Sequence, residues 1–497
     1  MQDFVNAVNE WVWSPALIYL CLFVGLYFSI RSRFLQIRHF GRMIRLLMDG
    51  KSSDQGVSSF QALAMSLAGR VGTGNIAGVA TAITFGGPCA LFWMWMVAFL
   101  GASTAFVEST LAQIYKERDD SGYFIGGPAY YFEKALGQKW YAIIFAICAI
   151  LACGILLPGV QANSIAESMT NSMGIAPSIS AAIIAALLGF IIFGGVKRIA
   201  SSAELIVPFM ALAYIIVAIV IIIMHIGQLP DVLALIFRSA FGMDSTFGAV
   251  LGLAIQWGVK RGVYSNEAGQ GTGPHPSAAA DVSHPAKQGL VQAFSVYIDT
   301  LFVCSATGFM LIITGMYNVQ DPTNKAAFLY NGVKGVSAGP GYVQTAMENI
   351  MPGFGSVFVA IALFFFAFTT IMAYYYIAET NIRYLARTLK LNWAIPVLKI
   401  VILLVVIYSC LKTADLAWAL GDLGVGMMAW LNIIGILFLQ KPAFAALRDY
   451  EAQIKQGKDP IYDARVHGIQ NAEIWDEISA KYRKEFGENP DHDRFVP

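Results

Sequence analysis

Apolar runs of roughly twenty residues recur along the chain near 13–30, 58–85, 88–115, 140–163, 177–194, 205–226, 246–273, 289–316, 354–377, 393–410 and 416–440, separated by short polar connections. A hydrocarbon core about 30 Å thick needs about 20 helical residues. The pattern therefore predicts an all-α polytopic membrane protein with about eleven transmembrane helices. Two of the runs contain their own breakers. In 58–85 the stretch AGRVGTGNIAGVATAI (68–83) sets Gly69, Gly72, Gly74 and Gly78 near the middle. In 246–273 the stretch QWGVKRGVYSNEAGQGTG (256–273) does the same with Gly258, Gly262, Gly269, Gly271 and Gly273. The two broken runs stand five spans apart, and an odd offset reverses direction. The spacing predicts a 5+5 inverted repeat with two discontinuous helices, preceded by one extra N-terminal helix.

Composition agrees with the pattern: 57% of the 497 residues are hydrophobic, 13% are charged, and mean hydropathy is +0.60. A net charge of +1 gives no global field for nucleic acid, so the basic residues are informative by location. Nineteen Lys and Arg fall on the odd connections, against four on the even connections and the N-terminus. That asymmetry predicts an N-terminus outside (periplasmic) and a cytoplasmic C-terminus. The segment Arg31–Lys51 mixes basic residues with Phe34, Ile37, Phe40, Ile44 and Leu47, the pattern of an amphipathic helix on the cytoplasmic leaflet. Asp3 and Glu10 precede the first run where a removable signal peptide would be basic. The six cysteines lack zinc or redox spacing and read as buried, inert thiols. The organisation reads as 1–57, the extra helix and amphipathic segment; 58–226, the first five-helix repeat; 246–440, the second; and 441–497, a polar tail of unassigned purpose.

Unwound backbone at membrane depth leaves N–H and C=O groups that lipid cannot satisfy, so it persists where it lines a cavity or binds something. Paired discontinuous helices from two repeats mark secondary transporters, with half-helix N-termini facing an anionic group and free carbonyls holding a cation. The N–H groups from about Asn75 to Gly78 are the expected carboxylate donors. Close packing through small residues is the competing reading of Gly72 and Gly78. The matched second break favours a site. Gly72-x-Gly74 lacks the preceding strand of a dinucleotide loop, and no HExxH or cysteine cluster supports an enzyme. A channel would call for a symmetric filter rather than one asymmetric pair of breaks.

On GTGNIAGVATAI (72–83), GGPCALFWMWMVAFLG (86–101) and SNEAGQGTGP (265–274), the chain resembles the alanine or glycine:cation symporter family, the sodium:alanine symporters, over about residues 10–445. The resemblance implies a LeuT-type fold, an inner-membrane location, and uptake of alanine or glycine, D-alanine included, with Na⁺ as coupling ion and H⁺ as the alternative. No cofactor, enzymatic activity or protein partner is implied; the partners are the small amino acid, the cation and the bilayer. By the same resemblance, Thr73, Gly74 and Asn75 receive the substrate carboxylate. Gln256, Trp257 and Gly258 offer carbonyls to its ammonium, and Gln161 faces the substrate. Ala68 and Val71 carbonyls with the Thr369 and Thr370 hydroxyls hold Na⁺. Hard neutral oxygens suit that ion better than a divalent one.

Ionisable residues inside spans are costly and mark functional candidates. Arg70 and Glu267 lie on the cytoplasmic side of the two breaks and are expected to pair as an inner gate, with Arg261 the alternative partner. Asp299 is a candidate proton relay or a buried acid used for packing. Asp422 is deeper than its loop requires. Glu108 and Glu379 are expected near the cytoplasmic interface, and His225 and His467 show no partner in the sequence.

Overall fold

The structure, a computed structural model, describes residues 2–47, 55–244, 246–324, 327–389 and 393–486. It is almost entirely helical. α1 (Gln2–Val12) and α2 (Pro15–Arg31) form a pair bent by 41°. Pro15 at the first turn of α2 fixes the new start, as a missing N–H costs nothing there. α1 is not an isolated tail: Asn9 donates to Ala419 O at 2.7 Å and Trp13 donates to Asp422 O at 2.8 Å.

The first broken run becomes α3 (Ser59–Arg70), a π-helical turn Gly74–Gly78, and α4 (Val79–Gly86). α3 starts in a capping box, with the Ser58 hydroxyl and the Gln61 amide each satisfying the other's backbone. Then follow α5 (Ala90–Ile114), α6 (Lys139–Met173), α7 (Pro177–Ile192) and α8 (Gly195–Met224). The second broken run becomes α9 (Leu251–Asn266) and α10 (Pro274–Ala279). α11 (Pro285–Thr314), α12 (Gly355–Leu389), α13 (Ala394–Cys410) and α14 (Ala414–Lys455) complete the bundle.

Every predicted run coincides with helix, but only six helices among the described residues are long and apolar enough to cross a membrane, or seven with the bent pair α1–α2. The runs that fail this measure do so for physical reasons. Two are interrupted at their breaks, and α7 and α13 have 16 and 17 residues. The membrane-facing surface is plain on α8, where Leu205, Phe209, Leu212, Ile216, Ile219 and Ile223 are exposed at helical spacing. Such a stripe on a soluble protein would be an aggregation surface. α5 is the opposite case, buried along most of its length at the centre of the bundle.

Two polar segments depart from expectation. The segment after Arg31 forms two short helices, Leu35–Arg38 and Phe40–Leu46, instead of one: left-handed backbone at Arg33 and Phe34 parts them from α2, and His39, at φ −105° and ψ 10°, parts them from each other. Phe40 packs edge-on against Phe294 at 5.7 Å, so part of its apolar face covers α11; residues 48–54 lie outside the described chain. α14 also continues well beyond residue 440, and the tail folds back as α15 (Ile474–Glu485). Trp475 of α15 donates to the carbonyls of Gln113 and Ile114 at the end of α5.

Candidate substrate and cation site

α3 ends because Val71 turns extended (φ −79°, ψ 90°). The next residue has to be glycine. A Cβ on Gly72 would lie 2.5 Å from Thr370 Oγ1 and 3.0 Å from Gln161 Oε1. The freed N–H of Gly72 donates to Asn75 Oδ1 at 2.8 Å, and that of Thr73 to Gln161 Oε1 at 3.1 Å. Two side-chain amide oxygens thus occupy donors that suit a carboxylate. These donors lie at 72 and 73, slightly before the 75–78 stretch that the sequence suggests. Gly74 packs against Ser265 of α9, where a Cβ would come within 3.1 Å of the Ser265 Cα.

The carbonyls released at the same point converge on α12. Thr370 Oγ1 lies 2.9 Å from Ala68 O, 3.4 Å from Val71 O and 2.9 Å from Phe366 O. Thr369 is turned away, its hydroxyl on Phe365 O and Phe366 O at 3.0 Å and facing Met210 Sδ. Ala68, Val71 and Thr370 are brought together; Thr369 is not. Beside Ala68 a pocket of about 10 Å³, lined also by Gly69, Glu267 and Thr272, has room for about one water-sized particle.

The second break lies lower than the glycine spacing suggests. α9 runs unbroken through Gln256, Trp257 and Gly258, whose carbonyls sit within a regular helix. Gly258 and Gly262 serve close packing instead: a Cβ on them would meet Ala90 O at 2.7 Å and Val97 Cγ1 at 2.4 Å on α5. Trp257 stacks on Phe85 at 4.5 Å. The chain unwinds at 267–273, where Glu267, Gly269 and Gly271 all take positive φ. Glu108 of α5 holds this break. It accepts the Gly269 N–H at 3.1 Å and the Asn432 amide at 2.7 Å. It is buried, not interfacial as its sequence position suggests.

Asp299 links the two breaks. Its Oδ1 accepts from Asn75 Nδ2 at 2.6 Å and from Ser265 Oγ at 3.1 Å, and its Oδ2 accepts from Thr300 at 2.7 Å. Its helix carries a π-helical turn, Ile298–Cys304, at this point. Tyr264, one residue before Ser265, is buried and faces Thr73. A lone tyrosine in an apolar run gave no signal in the sequence.

The charged residues pair differently from expectation. Arg70 and Glu267 form no ion pair among the described residues. Arg70 bonds Ser295 Oγ and, at 3.1 Å, Gln292 O, while Glu267 accepts from Thr272 at 2.8 Å. Arg261 points the other way along α9. It and Lys260 both reach Asp422 Oδ2 at 2.7 Å, and the Arg261 guanidinium lies 4.8 Å over Trp418 and 5.4 Å over Tyr264. Two cations buried among aromatics need a counter-charge, and among the described residues Asp422 on α14 is the carboxylate that reaches both. Glu379 pairs with Arg383 at 2.6 Å. His467 has a partner after all, Asp449 at 3.4 Å.

A sequence profile of the sodium:alanine symporter family matches residues 1–464. The chain is 62% identical to the "Putative sodium/proton-dependent alanine carrier protein YrbD" of Bacillus subtilis (strain 168), over 96% of this chain and 98% of that protein. It is 54% identical to the sodium/proton-dependent alanine carrier protein of Bacillus sp. (strain PS3), over 90% and 99%. Among solved structures it is similar in fold to MhsT in complex with L-phenylalanine, with a TM-score of 0.50, 16% identity, and coverage of 80% of this chain and 99% of that one. Its neighbours are LeuT-fold transporters. By profile and by relatives, this multi-pass membrane protein belongs to the sodium:alanine symporter family.

Proposed function

We propose that the chain imports a small neutral amino acid, alanine or glycine with D-alanine included, by symport with Na⁺ through alternating access. The observation that carries this reading is the first break. Within one turn of backbone it presents N–H donors at Gly72 and Thr73 and carbonyl acceptors at Ala68 and Val71, the latter beside the Thr370 hydroxyl. Opposite partial charges at one opening suit a carboxylate and a cation bound side by side. In the substrate-bound state the carboxylate takes the places of the Asn75 and Gln161 amide oxygens, and Gln161 and Tyr264 face the substrate. The relatives named as alanine carriers support the choice of substrate.

The proposal includes the architecture: about eleven spans, an extra first helix with its amphipathic segment in 1–57, inverted repeats of five helices in 58–226 and 246–440, and a tail at 441–497. It places the N-terminus outside and the tail in the cytoplasm at the inner membrane. The two breaks in corresponding places support the repeat. Arg70 and Glu267 belong to the cytoplasmic side of this cycle, and the Lys260, Arg261 and Asp422 cluster to the opposite side of the break.

Proton coupling is the second reading, and Asp299 favours it. A buried carboxylate bonded to Asn75 of the first break is placed to exchange a proton as the break rearranges. Labelled alanine uptake into proteoliposomes under an inward Na⁺ gradient, an inward H⁺ gradient, or neither separates the readings. Uptake driven by Na⁺ supports the first, uptake driven by H⁺ alone supports the second, and no gradient-driven uptake of alanine or glycine sinks both.

A further inference from the structure

On the side of the membrane where the tail lies, a cavity of about 710 Å³ opens between the end of α2, the C-terminal part of α14, the short helix Pro128–Lys134 and the tail loop around 467–471. Arg31, Lys134, Lys441, Arg448 and His467 line it, and no carboxylate does. Some of this charge is already answered. Lys134 reaches Glu117 at 3.0 Å, and His467 faces Asp449. Among the described residues Arg31 donates only to the neutral Tyr27 hydroxyl, at 2.8 Å, and it lies over the Phe444 ring. Lys441 and Arg448 hold no ion pair among the described residues. Three cations therefore face one concavity without a counter-charge.

The same helix face says which anion fits. Ile434, Phe438, Lys441, Ala445 and Arg448 follow one another at intervals of four and three, so they form a single stripe on α14. Its upper part is apolar and open to lipid, with Phe438 71% exposed. Trp140 and Ile144 at the start of α6 are exposed too, and Tyr141 ties that turn to α14 through Leu431 O at 2.5 Å. A soluble anion would need only the cations. A stripe that passes from exposed apolar side chains into unpaired basic ones matches a molecule with acyl chains and a phosphate.

We propose that this cavity is a binding site for the phosphate headgroup of an anionic phospholipid from the leaflet facing the tail. Lys441 and Arg448 grip the phosphate, Arg31 closes it from α2, and the chains lie along Phe438 and Ile434. The tail loop forms the outer wall, held by the Asn471 amide on Lys134 O at 2.8 Å, so a bound lipid joins tail and bundle.

The test uses the full chain in detergent, titrated with phosphatidylglycerol, with phosphatidylcholine and with glycerol phosphate, and bound lipid counted by native mass spectrometry. Wild type is expected to bind phosphatidylglycerol at least tenfold more tightly than phosphatidylcholine, and K441Q/R448Q to lose roughly thirtyfold of that affinity, about fivefold for each cation. Both side chains are exposed; the single R448Q, at roughly a fivefold loss, serves if the double variant does not fold. Unchanged phosphatidylglycerol binding by the variants would overturn the site. Glycerol phosphate binding as tightly as the lipid would overturn the lipid assignment.

Discussion

Gly72→Ala tests the geometry of the first break with a single carbon. The new Cβ would stand 2.5 Å from Thr370 Oγ1, so the hydroxyl has to withdraw by about 0.9 Å to reach ordinary contact at 3.4 Å. It cannot do so freely, because it is held at 2.9 Å by both Ala68 O and Phe366 O. Gln161 Oε1, 3.0 Å from the same Cβ, has to move as well and loosens its bond to Thr73 N–H. Overpacking of this kind costs about 1–3 kcal/mol of stability. Displacing one oxygen that would hold an ion forfeits about 1.5–3 kcal/mol, or ten- to a hundredfold in apparent Na⁺ affinity. The assay is alanine uptake into proteoliposomes against external Na⁺, with thermal unfolding in detergent run in parallel. Gly252→Ala is the control, since a Cβ there meets nothing within 4 Å; it should be neutral or slightly stabilising. Adding Thr370→Ala to Gly72→Ala removes the 2.5 Å collision, leaving the milder one with Gln161, and should recover part of the stability without restoring Na⁺ dependence. A Gly72→Ala protein with wild-type Na⁺ dependence would show that Thr370 Oγ1 holds no ion.

Asp422→Asn leaves Lys260 and Arg261 buried without their shared carboxylate, and unfolding should be easier by about 3–5 kcal/mol; a denaturation midpoint equal to wild type would show that the cluster carries no stability. The tail should loosen in acid through His284. Burial holds its imidazole below the ordinary range against the opposing pull of Asp449. Its Nδ1 accepts the Ala286 N–H at 3.1 Å while Nε2 faces Asp449 at 3.0 Å, so the neutral ring is fully used and a second proton breaks the Ala286 bond. A histidine with a lowered folded pKa binds fewer protons folded than unfolded. Its contribution is complete above about pH 6.5 and falls away as pH drops from there through the folded value. With the intrinsic pH dependence of exchange divided out, amide protection in residues 456–486 should therefore be lower at pH 5.5 than at pH 7.5, and less so in His284→Gln; equal protection at the two pH values in wild type would contradict it. Gly262→Leu, aimed at Val97 on α5 where even a Cβ comes within 2.4 Å, should prevent stable folding, read as loss of monodisperse protein after purification.

The helical layout was legible because lipid enforces a long apolar run wherever a helix crosses, and a break has to be written in residues that tolerate one. GTGNIAG therefore located the first break to within a residue or two. For the second, the glycine list included the true break at Gly269 and Gly271, but the free carbonyls expected at 256–258 lie about ten residues before it, because glycine has two uses in membranes. Gly258 and Gly262 bring α9 close to α5, whereas Gly269 and Gly271 supply positive φ, and spacing alone does not separate the two. Thr370 followed from the family resemblance, but the different fates of Thr369 and Thr370 depend on helix rotation, fixed only by packing. Charge partners were the least legible. Arg261 finds Asp422, 161 residues away, and Glu108 finds Gly269 at the same separation. Nothing in the local sequence of either records the other.

In the proposed cycle, cation and substrate share the first break. Binding linkage tests it most directly: alanine affinity of the purified protein, measured by calorimetry with Na⁺ present and with Na⁺ replaced by a large organic cation, for wild type and Thr370→Ala. Sharing predicts that Na⁺ tightens alanine binding at least fivefold in wild type, as coupling between sites requires, and that the gain disappears in Thr370→Ala. Alanine affinity that ignores Na⁺ in wild type, or a gain that survives in Thr370→Ala, would contradict the account.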